Sequence, residues 1–429
     1  MRKIGFACLS FFIFHAAANA TPPIDAYGHL PSIELMQLAP SGQRYAFVAV
    51  VNESRKLIVL SDKGAAIYVV GIGDNKVRNL QWVGDDRLLL WTSSTFDNRL
   101  DLVQAHEFVS VINIDLKASK TSNVFDGTQQ AAKIVFGSAG TAQINGHCYA
   151  YFVGIGYEWD RGAAASPSRG SYVFNGDHRN LYRVDLENGD VSMLARGGDG
   201  PGFEWVIGAD GNVLAHSQYD ADAGVWRLFA GTDRSKPLLE RKSRFDDINL
   251  LGRGRTADTV WIADHSSNSL IEEVSIPDGK RETVFGDVRF DRYLTDPDSG
   301  LAIGAITNAE SGASLFEPKL QARIKGTRKA FPDSRMQLIS YSRNMDRLIV
   351  KTDAGDDSGT YWLVDIASGN ANPLGYPYPE VRAADMGIAK WISYKAADGM
   401  DIEAVLTLPP ARKAERLPLV VLPHGGPIG

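Results

Sequence analysis

Between about residue 30 and residue 385 the apolar positions come in short bursts, rich in β-branched and aromatic residues and closed by Gly, Asp or Asn. Bursts of that length bounded by turn residues predict strands rather than helices. The clearest fall at 45–51, 57–60, 67–70, 87–91, 109–114, 181–185, 226–230, 259–263, 348–351 and 361–365. Between them stand Pro40-Ser41-Gly42, Gly84-Asp85-Asp86, Glu187-Asn188-Gly189, Ala209-Asp210-Gly211, Pro277-Asp278-Gly279 and Ser368-Gly369-Asn370, the chemistry of tight turns. Pro, Gly and Asp leave few stretches where a helix longer than two turns can persist.

Two strand-and-turn units recur. In one, an apolar pair, a tight polar turn and a returning strand follow each other, as in 38–47, 82–90, 206–214 and 341–349. In the other a strand ends in Val or Ile, then Asp, then Leu or Ile, before a turn, as at Ile114-Asp115-Leu116, Val184-Asp185-Leu186 and Val364-Asp365-Ile366. The spacing fits a period of roughly 40–50 residues with four short strands per unit, the mark of β-propeller blades. One blade buries too little alone, whereas radial stacking covers both faces of every sheet. The stretch predicts a mainly β fold with seven or eight blades. The rival, a pair of β-sandwiches, requires no such regular spacing. Residues 154–171 interrupt the rhythm, mixing Tyr157, Trp159, Asp160 and Arg161 with an Ala/Ser/Pro segment. They read as a solvated inter-strand loop, with a binding loop at a propeller mouth as the sharper alternative.

Composition narrows the function classes. The 429 residues are 44% hydrophobic and carry a formal net charge of −6, enough apolar material for a packed core and no polycationic surface. That argues against a nucleic-acid binder, whose affinity rests on neutralising phosphates. Two cysteines make neither a disulfide framework nor a Cys-rich zinc site. No His-Glu-x-x-His and no Gly-rich phosphate loop occurs, so no metal, nucleotide or flavin cofactor is expected.

The first twenty residues read as an address. Arg2 and Lys3 precede an uncharged apolar run, 4–14, and Ala18-Asn19-Ala20 offers the small residues of a cleavage site. The run is shorter than the ~20 residues needed to span a bilayer. Cleavage after Ala20 and a secreted or periplasmic location are expected, with no membrane attachment afterwards. Cys8 leaves with the signal, and Cys148 remains as a buried structural thiol rather than a nucleophile.

After about residue 386 the character changes. Residues 390–394 and 402–408 read as strands joined by Ala397-Asp398-Gly399, and 417–422 is continuously apolar, as a strand buried on both faces is. It ends in Pro423-His424-Gly425-Gly426-Pro427. A signal-led propeller, a strand pair with an Asp-Gly turn, Leu406-Thr407-Leu408-Pro409, and His-Gly-Gly-Pro after an apolar strand together resemble the prolyl oligopeptidase family of serine peptidases. The similarity is to its acylaminoacyl-peptidase and dipeptidyl-aminopeptidase branch, by pattern over the propeller and by motif over 390–427. The resemblance implies a signal at 1–20, a propeller at 21–385, and at 386–429 the first strands of an α/β-hydrolase domain. It also implies oligopeptide substrates, with the propeller acting as a size filter.

Acyl transfer places negative charge on a carbonyl oxygen, and backbone N–H groups aimed there lower the barrier. Paired glycines let the main chain approach closely. By resemblance Gly425 and Gly426 supply that oxyanion-side backbone and His424 positions the loop; the triad histidine comes last in such hydrolases. No Gly-x-Ser-x-Gly occurs: 137–140 and 356–359 both fail the pattern. Family order places the nucleophile Ser, acid Asp and base His beyond Gly429, so the sequence reads as the front of a peptidase, inactive alone. Glu272-Glu273 is similar to an acidic pair that grips a peptide amino terminus in related enzymes. Adjacent strand positions face opposite sides, so no such role is assigned. The alternative function is a stand-alone periplasmic propeller that docks partners. Its difficulty is the tail, whose apolar strand is an aggregation hazard when uncovered.

Overall fold

The computed structural model describes residues 24–96, 106–160, 171–198, 202–267, 270–286, 288, 290–307, 312–354, 357–410 and 412–423. They fall into two compact units, one of 30–354 with 359–377 and a smaller one holding the rest. The expected signal at 1–20 lies outside the described residues.

The larger unit is a seven-bladed β-propeller. Each blade is an antiparallel sheet whose strands follow one another in sequence order. The blades occupy 33–73, 76–123, 131–195, 203–242, 248–284, 290–315 and 335–375. All ten expected strands are present, most of them longer than their apolar bursts. Polar flanks such as Ser54, Arg55 and Lys56 join the ladder by pairing with Val51, Val50 and Ala49.

The buried apolar residues form seven clusters, and each lies on one seam between neighbouring blades. Blade faces are thus buried against other blades, which is why a single unit could not stand alone. The last seam is no exception. Ile33, Met36, Leu38 and Tyr45 of the first blade pack with Ile349, Tyr361 and Leu363 of the seventh, and the Leu38 N–H donates to the Ser340 hydroxyl at 3.0 Å. No strand is exchanged between these two blades; the ring closes through side chains.

The two recurring sequence units have distinct structural jobs. The Asp that ends the third strand caps the following turn: Asp115 Oδ1 accepts from the Lys117 and Ala118 N–H groups (3.0 and 2.9 Å). Asp185 does the same for Glu187 at 2.9 Å and Asp365 for Ser368 at 3.0 Å. The Arg that opens the second strand pairs with that Asp in two blades, Arg87 with Asp115 at 2.7 Å and Arg347 with Asp365 at 3.0 Å. The arginines also reach across the seam. Arg44 donates to the Asp85 carbonyl oxygen (2.8 Å), Arg87 to that of Leu186 (2.7 Å) and Arg347 to that of Gly42 (2.9 Å). Gly42 itself has φ +75°, and a Cβ there would come within 3.1 Å of the Arg347 side chain.

Two features of the propeller differ from the sequence expectation. A helix of more than three turns, Pro318–Lys329, follows the sixth blade. Pro318 opens it, Leu320, Ile324 and Thr327 recur on one buried face, and Arg328 and Lys329 suit its carboxyl end. The sixth blade has three strands among the described residues, and the helix ties to its edge through one side chain. Gln321 Oε1 accepts from the Leu315 N–H at 2.8 Å and Nε2 donates to the Ala313 carbonyl oxygen at 3.2 Å. The second difference is the third blade. The expected loop at 154–171 is instead a hairpin extension: strands His147–Asp160 and Ser171–Asp185 stay paired to Asp160↔Ser171. Residues 161–170 lie outside the described residues.

In the smaller unit, Ile388–Lys395 pairs with Asp401–Leu408 along its whole length. The turn at 397–399 uses Gly399 at φ +87°, while Asp398 Oδ1 accepts from the Met400 N–H at 3.1 Å. The buried strand expected at 417–422 is not formed: this stretch has no regular structure and Leu419 and Leu422 are 77% and 88% exposed. An apolar run marks a need for burial, but a strand also requires a neighbour for its N–H and C=O groups. Among the described residues none pairs with it.

Candidate functional site

The first strand of every blade faces the propeller axis, and together the seven enclose a channel of about 810 Å³. The wall alternates apolar and polar positions because successive side chains of a strand point to opposite sides. Trp82 and Leu80 alternate with Gln81 and Asn79, and Trp205 with Glu204. The axial positions were not marked in the sequence, since innermost and outermost strands share the same two-residue rhythm.

Charged groups on the wall are each held by a neighbour. Arg292 donates to the Leu338 carbonyl oxygen at 2.9 Å, crossing from the sixth blade to the seventh. Arg253 donates to the Ser299 carbonyl oxygen, and burial lowers its pKa from the usual guanidinium value. The Arg179 guanidinium lies 4.2 Å over the Phe136 ring, a cation–π contact. Glu204 accepts from the Leu250 N–H (2.7 Å) and the Ser217 hydroxyl (3.0 Å). Burial outweighs those bonds and raises its pKa. The Tyr341 hydroxyl donates to the Thr295 carbonyl oxygen at 2.8 Å and accepts from the Thr295 N–H at 3.0 Å. Burial pushes the phenol up to about 12, so it stays a neutral donor and acceptor at any ordinary pH.

One ion set stands at a channel mouth. Pro40 and Asp298 belong to the wall. Arg343 binds the Asp298 carboxylate, lies 3.7 Å from Asp85, and donates its N–H to the Pro40 carbonyl oxygen at 2.8 Å. Asp85 also accepts from the Ser41 N–H at 2.9 Å. The guanidinium thus joins the second, sixth and seventh blades while the Arg343 backbone ties to the first, and its pKa is raised, first by the bond to Asp298.

The sequence-derived site residues fare differently. His424, Gly425 and Gly426 lie outside the described residues. Glu272 and Glu273 face opposite sides, as adjacent strand positions do, and both are engaged. Glu272 pairs with Arg241. Glu273, only 5% exposed, binds Arg255, accepts from the Thr259 hydroxyl (2.6 Å) and from the Trp261 indole N–H (3.3 Å). Cys148 is a half-buried free thiol packed against the seam of the second and third blades, with its pKa raised foremost by burial, the opposite of an activated nucleophile.

The structure also assembles a group that sequence reasoning missed. His147 Nδ1 lies 3.2 Å from Asp185 and 3.3 Å from Glu187, and the three donor atoms lie within 4.8 Å of one another. One imidazole and two carboxylates can hold a divalent cation, and they equally form a polar tie across the strand end. The signal was present in the Val-Asp-Leu-Glu strand end, but its partner His147 is 38 residues away.

No protein-family model and no curated protein matches the sequence. Solved structures do resemble the fold. An acylaminoacyl peptidase of Pyrococcus horikoshii superposes with a TM-score of 0.51 at 11% identity, over 90% of this chain and 59% of its own. Prolyl oligopeptidase B from Galerina marginata, solved with a 25mer macrocyclization substrate, gives 0.50 at 9% identity, over 90% of this chain and 56% of its own. The ring is a seven-bladed propeller like those of prolyl oligopeptidase-family peptidases. At these identities the shared property is the fold. This chain spans under two thirds of the length of either protein.

Proposed function

We propose that this chain is the propeller-bearing part of an exported serine peptidase of the prolyl oligopeptidase kind, acting on short peptides. The observation that supports the reading best is a seven-bladed ring around an open axial channel, joined in sequence to a hairpin and a Leu-Pro-Leu-Val-Val…His-Gly-Gly-Pro run. In this reading the channel admits oligopeptides and excludes folded chains, and hydrolysis proceeds by acyl transfer. Gly425 and Gly426 offer N–H groups to the developing oxyanion, and His424 orients their loop. The hairpin favours the same reading through its surface. Trp391, 79% exposed, and its cross-strand partner Val405 are open to solvent on one side of the hairpin, and Ile388 and Tyr394 on the other, apolar surface of the kind a continued sheet with covering helices buries.

None of the 429 residues supplies a Gly-x-Ser-x-Gly nucleophile elbow, so these residues alone are expected to hydrolyse no aminoacyl or dipeptidyl amide. Turnover by the pure chain, abolished by a serine-directed inhibitor, sinks this account. Deleting 386–429 separates it from a stand-alone docking propeller: improved solubility with cooperative unfolding supports the peptidase reading, and loss of folding supports an integral tail. Export is tested by the amino terminus of the secreted or periplasmic protein, expected at Thr21.

A further inference from the structure

A second cavity, of about 310 Å³, lies in the seam between the third and fourth blades. One group in its wall is chemically incomplete. His216, on strand Val213–Asp220, is 1% exposed. Its Nδ1 is 2.7 Å from the Gly231 carbonyl oxygen, so Nδ1 carries the proton and donates it. The ring stacks on Phe229 at 4.9 Å and 11°, which fixes its orientation. Nε2 is left as an acceptor, and it has no hydrogen-bond partner among the described residues. Burial, the largest cause, lowers the pKa of this imidazole, with Arg234 acting in the same direction and the bond to Gly231 and Asp233 against it. The ring is therefore neutral, and its open nitrogen asks for a donor.

The rest of the wall defines what else a ligand must carry. Arg196 and Arg234 border the cavity together with Trp205 and Thr232. Arg234 donates to the Arg196 carbonyl oxygen and lies 4.7 Å over the Phe203 ring. No carboxylate of the described residues forms an ion pair with either guanidinium. The cavity thus combines one buried acceptor, two cations and an indole. A cationic ligand is repelled, and an apolar ligand or a bare anion alike leaves the buried Nε2 unmet. A ligand with a carboxylate and an adjacent N–H satisfies all of them.

We propose that this seam cavity binds the carboxyl-terminal residue of a peptide or N-acylated amino acid. The carboxylate faces Arg196 and Arg234, the amide N–H donates to His216 Nε2, and the side chain lies against Trp205. Trp205 also belongs to the wall of the axial channel, so the two spaces share one residue. The inference does not rest on the peptidase reading, because a docking propeller would hold the same ligand.

Three probes test it by titration calorimetry on the full chain. N-acetylphenylalanine carries both groups, N-acetylphenylalaninamide lacks the anion, and O-acetylphenyllactate lacks the N–H. N-acetylphenylalanine is expected to bind, and each of the others roughly tenfold or more weakly. Arg196→Gln, at an exposed position, is expected to weaken N-acetylphenylalanine by about tenfold and leave the amide unchanged. His216→Phe keeps the ring stack and is expected to erase the preference for N-acetylphenylalanine over O-acetylphenyllactate. If that variant does not fold, Arg196→Gln and the probe ranking still decide. Equal affinity for the three probes, no saturable binding at millimolar concentration, or indifference to Arg196→Gln overturns the proposal.

Discussion

Arg347 is the residue on which closure of the ring can be tested most directly. Its guanidinium bonds the Gly42 carbonyl oxygen at 2.9 Å and Asp62 at 2.8 Å in the first blade, and Asp365 at 3.0 Å in its own. All three side chains are about one quarter exposed. Arg347→Ala removes three charge-assisted bonds and leaves two carboxylates facing each other's space. Exposed pairs are worth under ~1 kcal/mol and fully buried ones 3–5 when broken, so a loss of about 2–4 kcal/mol is expected. With an unfolding entropy of about 2.1 cal/mol/K per residue over roughly 350 residues, that is a fall in Tm of about 3–5 °C. The comparison is Arg227→Ala, which breaks ties to Glu240 and Asp220 inside the fourth blade and is expected to cost under ~1 kcal/mol. The deficit has a pH signature. The Asp365 pKa is lowered, first by the Ser368 N–H and then by the Ser368 hydroxyl and Arg347. A lowered folded pKa gives stability that is complete above the unfolded value, about 3.9, and lost as pH falls through the folded one. The gap between Arg347→Ala and wild type should therefore narrow in acid. Thermal unfolding followed by circular dichroism at pH 7 and pH 3 checks both statements. An Arg347→Ala deficit no larger than that of Arg227→Ala would falsify the view that this arginine clamps the seam.

Other expectations follow from single residues. Burial would raise the Glu273 pKa, but bonds from Thr259, Arg255 and Trp261 overcome it and hold the carboxyl below its ordinary range. Glu273→Gln should lose about 1–3 kcal/mol at pH 7. Its urea midpoint should converge on wild type as pH falls below about 4.3; a constant deficit down to pH 3 contradicts the assignment. The Tyr151 hydroxyl is buried with no partner among the described residues, so Tyr151→Phe should be neutral within ~0.5 kcal/mol or stabilising. A loss above about 1 kcal/mol by the same assay would reveal a bond at that oxygen. A Cβ on Gly154 would stand 2.9 Å from the Phe125 ring and 3.4 Å from Tyr182, inside the seam of the second and third blades. Gly154→Ala should cost about 1–3 kcal/mol by overpacking; unchanged Tm means the rings can retreat.

What the sequence made legible was whatever repeats locally. Turn glycines and strand-ending aspartates stand beside the backbone they serve, so 84–86, 187–189 and 368–370 carry their turns in the local sequence. Contacts across seams carry no such mark. Arg44, Arg87 and Arg347 open three of the recurring strands, yet the carbonyls they reach belong to the next blade. The helix Pro318–Lys329 leaves little trace in the sequence because its buried face is only Leu320, Ile324 and Thr327, too few to stand out among Lys and Arg. In 154–171, aromatic and charged residues together read as a loop, although the same alternation extends a hairpin. His216 illustrates the limit most sharply. Its position in a strand is ordinary, and only the Gly231 carbonyl oxygen on one side and an empty-handed nitrogen on the other give it chemistry.

The same distinction explains why the ring and the tail behave differently. In the propeller each apolar face finds its cover in the next repeat, so a pattern that predicts a strand also predicts its burial. The seventh seam, closed by Leu38, Tyr45, Ile349 and Tyr361, shows that the rule holds even where the covering repeat is some 300 residues away, since Leu38 still bonds Ser340. The tail has no repeat to supply a cover. Its hairpin satisfies its backbone through Ile388↔Leu408 and the pairs that follow, but its Trp391 and Val405 side chains, like Leu419–Leu422, have found none among the described residues. Periodicity therefore predicts tertiary structure only where the partner surface is another copy of the same pattern. For 386–429 it predicts a demand for apolar contact and leaves the surface that meets it unspecified.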